Sequence, residues 1–193
     1  LAESVQTSLD IFDEVCRKLK GSEQLARILE IILALGNILN RGTSRAHASG
    51  FKLKSLEMLK ETRASNRSTT LLHYLAKTVK TKSVELLEFP SSLGRLEEAA
   101  KFSLATLQSD SAALKRAVEK TRTEIDRSGG VPASQLFYDN MLSFVEKAEA
   151  EAAALEARLQ VTKDLSAALV AYFGEPGASV EDVIKTLGCF SKS

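Results

Sequence analysis

The chain has no tryptophan, three prolines and two cysteines in 193 positions, and only 6% of its residues are aromatic. Few prolines leave long helices uninterrupted, since a proline in a helix interior removes a hydrogen bond and costs about 3 kcal/mol. Cys16 and Cys189 stand alone at opposite ends of the sequence. That excludes a small disulfide scaffold and argues for a reducing, cytosolic setting. No apolar run reaches the roughly 18 residues that would suggest a membrane span, and the start does not resemble a secretory leader. An excess of one charge is missing too: 26 basic against 25 acidic residues leave a net charge of +1, with no general pull toward nucleic acid or membrane. His47 and His73 have no cysteine or carboxylate at ligand spacing, so no metal or cofactor is expected. No nucleophile elbow, phosphate-binding glycine loop or His-Glu-x-x-His pattern occurs, so no catalytic residues and no enzyme are expected.

What is present is a chain 44% hydrophobic and 26% charged, in proportions that suit an all-α globular protein. It begins mid-pattern at Leu1 without a methionine and reads as a fragment. Leu1, Val5, Leu9, Phe12, Cys16 and Leu19 lie three and four apart, predicting a first helix over 1–20 with one buried face. Ser22 then caps a helix running to Leu39 that is apolar on nearly all sides, the expected central helix of a globular part. A polar loop covers 41–50. Short helices are expected over 55–60 and 69–79, the second buried through Leu71, Leu72, Leu75 and Val79, followed by a turn over 83–89 closed by Pro90.

Beyond Pro90 the pattern lengthens. Leu96, Ala100, Leu104, Leu107, Leu114, Val118 and Ile125, with Ser111 and Thr121 in two seam positions, approximate a heptad over 92–127. Gly129-Gly130-Val131-Pro132 breaks the chain. A return helix over 134–173 carries Phe137, Met141, Phe144, Ala148, Leu155, Leu159 and Leu169. Two helices of roughly 50–60 Å joined by so short a hinge must run antiparallel. The expected domains are therefore a compact helical region over 1–91, a coiled-coil arm over 92–173, and a final helix capped by Ser179 within 174–193.

The most distinctive stretch is Gly36-Asn37-Ile38-Leu39-Asn40-Arg41-Gly42, leading into Gly50-Phe51-Lys52-Leu53-Lys54-Ser55-Leu56. A glycine inside an otherwise Leu- and Ile-rich helix costs about 1 kcal/mol relative to alanine, which suggests a close helix or loop approach at Gly36. Asn37 and Asn40 lie one turn apart, so both carboxamides could staple the following loop. Arg41, Arg45, Lys52, Lys54, Lys60, Arg63 and Arg67 place seven positive charges within 27 residues, opposed by Glu57 and Glu61 alone. This cluster reads first as a solvated face and second as a site for an acidic partner. Nucleic acid is disfavoured, since Phe51 is the only aromatic interleaved with these charges. Phe51 and Leu53 either pin the loop or line a groove. His73, after Thr70, reads as a capped or core-edge histidine.

Gly36-Asn37-x-x-Asn40, Gly50-Phe51-x-Leu53-x-x-Leu56, Leu59 to Ala64 and Thr70 to Leu75 occur in order. Together they resemble the actin-assembling formin homology 2 domain. Phe89-Pro90, Phe137-x-x-x-Met141-x-x-Phe144-x-x-x-Ala148, Tyr172-Phe173-Gly174-Glu175 and Leu187 to Phe190 extend the resemblance over nearly the whole chain. Formins usually carry aromatic or sulfur-bearing residues between the two asparagines, where this chain has Ile38 and Leu39. With the Ala-rich return helix, this suggests a divergent member, a synaptic one among the candidates. The resemblance implies the post and coiled coil of a head-to-tail dimer that nucleates actin filaments and steps with the growing barbed end. It implies actin contacts at Arg45, Lys52, Lys54, Lys60, Arg63 and Arg67. A post surface at Gly36, Asn37, Asn40, Gly50, Phe51 and Leu53 would receive the partner subunit's lasso. Profilin would be recruited indirectly, through upstream proline-rich segments, in the cytoplasm on the actin cytoskeleton. The fragment alone is expected to be inactive. A helical scaffold without actin-assembly activity is the alternative.

Overall fold

The structure is a computed structural model that describes residues 1–63, 69–128 and 135–193, apart from the side chains of residues 128 and 135–137. The expected glycine hinge at 129–132, Ala64 and Arg67 lie outside the described residues, as does the side chain of Phe137. The protein is all-α. Among the described residues the only extended pairing is an isolated bridge between Arg63 and Thr70. Two compact units are present, one formed by residues 1–13 with 102–165 and the other by 14–101 with 166–193.

The first unit contains α7 (Leu104–Ser128), most of α8 (Gln135–Tyr172) and the start of α1 (Ala2–Gly21). Burial along α7 recurs at 104, 107, 111, 114, 118, 121 and 125, steps of three and four throughout. Ser111 and Thr121 thus occupy the seam positions read from the sequence. On α8 the matching series is 141, 145, 148, 152, 155, 159, 162, 166 and 169. The ion pairs Lys115–Glu156 (2.8 Å) and Arg122–Glu149 (3.6 Å) step seven residues forward on α7 and seven back on α8, so the two helices run antiparallel. The Glu156 carboxylate, through its hydrogen bond, raises the Lys115 pKa. Val5 and Leu9 of α1 join Leu107, Leu155 and Leu159 in one apolar cluster. Asp13, 1% exposed, accepts a 2.6 Å bond from the Thr162 hydroxyl and pairs with Arg158 at 3.2 Å. Arg158 also reaches Asp10.

The second unit is built from shorter pieces. Ser22 caps α2 (Glu23–Leu39) by accepting from the Leu25 amide. A 3₁₀ turn (Leu53–Leu56), α3 (Met58–Glu61) and α4 (Leu71–Lys82) follow. Thr70 caps α4, and its hydroxyl also lies 2.7 Å from Nδ1 of His73, so this histidine is a capped one. A second 3₁₀ turn (Val84–Glu88) precedes α5 (Phe89–Ser92) and α6 (Leu96–Ala99). The final helix, α9 (Val180–Ser191), opens with a capping box between Ser179 and Asp182. Its buried face holds Val180, Val183, Ile184, Leu187 and Phe190, and Phe190 meets Phe89 with ring centroids 5.8 Å apart. On α6, the hydrogen bond from Arg95 is the main influence holding the Glu98 carboxyl below its ordinary pKa.

Several expectations are corrected. The most buried helix is α1, with Val5, Leu9, Ile11, Phe12, Val15, Cys16 and Leu19 all at 2% exposure or less. Only Leu25, Ile28 and Ile32 are buried in α2, whereas Ile38 and Leu39 are 68% and 59% exposed. Apolar content all round a helix marks surfaces that prefer cover without saying whether this chain supplies it. The helix expected to start at Ser92 starts at Leu104: Gly94, at a left-handed φ of +70°, separates α5 from α6, and α6 itself ends at Ala99. Pro90 opens α5 at a position where its missing amide hydrogen costs nothing, so it does not close the preceding turn. Phe144 is 61% exposed and Val145 takes its seam position. From Met141 to Ala148 either residue fits a three-and-four step, and the downstream phase selects Val145. Leu71 and Leu72 are half-buried, leaving Leu75 and Val79 to anchor α4.

Candidate functional site

Around the glycine block the two asparagines do different work. The Asn37 carboxamide reads the backbone of Ala48 from both sides: Nδ2 donates to its carbonyl at 2.9 Å, and Oδ1 accepts from its amide at 2.8 Å. That double bond imitates a strand pair and fixes the far end of the loop, as expected. Asn40 acts through its backbone, which is a correction. Its amide closes α2 on the Gly36 carbonyl, and its carbonyl accepts from both the amide and the hydroxyl of Thr43.

Among the described residues Gly36 does not serve a close approach. A Cβ built there would meet nothing within 4 Å. Gly36 instead faces a groove of about 360 Å³ whose walls include Ile32, Leu39, Phe51, Met58 and Leu71. Asn37, Asn40, Arg45 and Gly50 also line it. Leu39 and Met58, each 59% exposed, leave apolar surface uncovered at its edge. On the far side of Phe51 lies a second groove of about 270 Å³, bordered by Leu25, Leu29, Leu33 and Tyr172. Gly50 and Phe51 belong to both. Phe51, half-buried, is therefore the partition between two apolar depressions. Leu53 is 5% exposed and anchors the turn from beneath.

The basic residues are dispersed. Arg45 borders the first groove. Lys54 borders a depression with Glu57, Glu175 and Asp182, and Lys60 borders another with Glu57 and Glu61. Lys52 is engaged internally, donating to the Gly174 carbonyl at 3.1 Å and pairing with Glu175 at 3.4 Å. Arg63 is exposed beside the bridge to Thr70. Of the charges clustered in sequence, Lys52, Lys54 and Lys60 lie among carboxylates, so that part of the patch is a mixed field. Sequence reasoning missed Glu175 as a partner of this loop, and a separation of 122 residues gave no local cue. It also missed Asp13, whose place on a buried helix face was the available signal.

Among the described residues no three His, Cys, Asp or Glu side chains are grouped to hold a metal ion. No helix there is long and apolar enough to cross a membrane. The arrangement is a helical platform bearing two grooves with apolar walls. The chain belongs to the Formin Homology 2 Domain family, which it matches over residues 2–193. It is 40% identical over 189 residues to formin-like protein 6 of Oryza sativa subsp. japonica, covering 96% of this chain and 14% of that protein. Formin-like proteins 20 and 19 of Arabidopsis thaliana are each 39% identical, over 87% and 86% of this chain and 10% and 36% of their own lengths. The chain therefore spans a minor part of the curated relatives it matches. These plant relatives give no support to a synaptic member.

Proposed function

We propose that this chain is the post and coiled-coil part of a domain that binds actin at the filament barbed end, acting as a head-to-tail dimer to nucleate and elongate filaments. The observation that carries the proposal is the family match along residues 2–193, joined to an apolar groove that the described residues leave open at Gly36. A groove with two apolar depressions on either side of Phe51 suits large side chains delivered by a partner subunit's lasso, and buried aromatic anchors of that kind dominate binding energy in many interfaces. Gly36, Asn37, Asn40, Gly50 and Phe51 form that receiving surface, with Leu53 supporting it from below. Arg45, Lys52, Lys54, Lys60, Arg63 and Arg67 supply the contacts to actin. The work is non-covalent: binding and release, with no bond made or broken. Profilin enters through proline-rich segments elsewhere in the parent protein, and the setting is the cytoplasmic actin cytoskeleton.

The experiment is charge reversal, Lys52→Glu with Lys54→Glu, in the intact formin homology 2 domain, read by co-sedimentation with actin filaments. Rim charges mainly change association and its salt dependence, so binding should weaken about tenfold while helicity by circular dichroism stays unchanged. Unchanged binding would remove these lysines from the actin surface and favour a helical scaffold that does not act on filaments.

A further inference from the structure

The loop that carries Lys52 is held by a residue 122 positions away. Helix α8 ends in a Schellman turn. Gly174 adopts φ +63°, its amide donates to the Ala171 carbonyl at 3.1 Å, and the Glu175 amide reaches back to Val170 at 3.2 Å. That turn carries the Glu175 carboxylate to the start of the 3₁₀ turn at Leu53–Leu56, whose own N-cap residue, Lys52, offers no side-chain cap. Oε1 of Glu175 accepts the Leu53 amide at 2.6 Å and so caps the turn from a distance. Oε2 lies 3.4 Å from the Lys52 ammonium, which also donates to the Gly174 carbonyl at 3.1 Å. That carbonyl sits at the negative end of α8, which favours the cation there.

The Glu175 side chain is 14% exposed and the Lys52 side chain 62%. The carboxylate is thus inside and the ammonium outside. An ammonium carries three donors. One is directed at the Gly174 carbonyl, the Glu175 carboxylate lies at ion-pair distance, and the ammonium keeps donor capacity for a partner. Lysine loses rotamer freedom when it forms a contact, and the Gly174 and Glu175 contacts favour one Lys52 rotamer before a partner binds.

We propose that Glu175 is a positioning residue for the Lys52 contact with actin, presetting one cationic donor on the post; this rests on the reading of Lys52 as an actin contact given above. Two effects of neutralising Glu175 oppose each other. Removing a negative charge near an acidic partner strengthens attraction by about twofold at physiological salt, because an acceptor on the Lys52 ammonium would lie about 6 Å from the Glu175 carboxylate, inside the Debye length. Freeing a rotamer-rich side chain weakens binding by roughly two- to tenfold. The second effect dominates. Glu175→Gln keeps an acceptor for the Leu53 amide but replaces the carboxylate facing Lys52 with an amide donor, so it separates positioning from loop capping.

The test is a double-mutant cycle in the intact formin homology 2 domain, measuring affinity for filamentous actin and thermal unfolding of each variant. Lys52→Ala should weaken binding about three- to fivefold and Glu175→Gln about threefold, with the unfolding temperature of the Gln variant nearly unchanged. The Lys52→Ala, Glu175→Gln pair should be no weaker than Lys52→Ala alone. In a Lys54→Ala background, Glu175→Gln should still lose its full threefold. Unchanged or tighter binding of Glu175→Gln would overturn the positioning role, as would a loss that persists without Lys52, which would mark Glu175 as a general support of the loop. Should Lys52→Ala bind as the parent does, the actin reading of Lys52 falls and the positioning role falls with it.

Discussion

The two units of this protein solve the burial problem in different ways. In the unit of α7, α8 and the start of α1, buried positions follow one repeat of three and four residues, and each helix closes its own hydrogen bonds. In the unit of α2 to α6 and α9, helices of 12 to 17 residues are interspersed with four-residue helices and two 3₁₀ turns. There, distant side chains supply what local sequence does not: Glu175 caps Leu53, and the Gln24 amide reaches the Glu85 carbonyl at 3.2 Å. Regularity allows the first unit to be built from any residue of suitable size and polarity. Irregularity in the second leaves surfaces that no neighbour covers, and the open groove is there.

The comparison can be broken first at its cores. Leu155→Ala in the seam and Leu187→Ala in α9, at 3% and 0% exposure, should each cost about 2–5 kcal/mol in urea unfolding. A value below about 1 kcal/mol at either would mean that its unit does not depend on the packing described. The one charged group sealed in the regular unit is next. Asp13→Ala removes the acceptor shared by Arg158 and the Thr162 hydroxyl, which keep the Asp10 carboxylate and the Arg158 carbonyl respectively, and should cost about 1–3 kcal/mol. Asp13→Asn retains an acceptor for Thr162 and should recover part of that loss.

Exposed apolar residues sharpen the contrast at smaller magnitude. Phe144→Ala and Ile38→Ala, at 61% and 68% exposure, should change the stability of the chain by less than about 0.5 kcal/mol. A core-sized loss at Phe144 would restore it to the seam. The smallest effect concerns pH. Glu98 has a folded pKa below its ordinary value of 4.5 because Arg95 hydrogen-bonds its charged form. Its contribution is present above the unfolded value and disappears as pH falls through the folded one. Glu98→Gln should therefore flatten the slope of stability against pH below about 4.5 and leave it unchanged at neutrality.

Legibility followed the same division. The seam of α7 could be read residue by residue, Ser111 and Thr121 included, because a heptad is a local rule. On α8 the reading slipped by one residue, choosing the larger Phe144 over Val145, since size is not what fixes phase. The second unit was legible where a cap or side-chain amide acts on a nearby segment, as at Ser22, Thr70, Ser179 and Asn37. It was not legible where partners lie far apart. The Glu175–Leu53 bond leaves no periodic trace, and the carboxylates beside Lys52, Lys54 and Lys60 come partly from residues that no spacing encodes. The apolar end of α2 showed a further limit: hydrophobic pattern identifies surface that prefers cover, without naming the chain that provides it.

The central claim is that this platform belongs to a processive, non-covalent actin assembler, and seeded elongation with the intact formin homology 2 domain tests it most directly. The account predicts barbed ends that slow yet continue to grow in the presence of capping protein. Growth and capping indistinguishable from actin alone would contradict it.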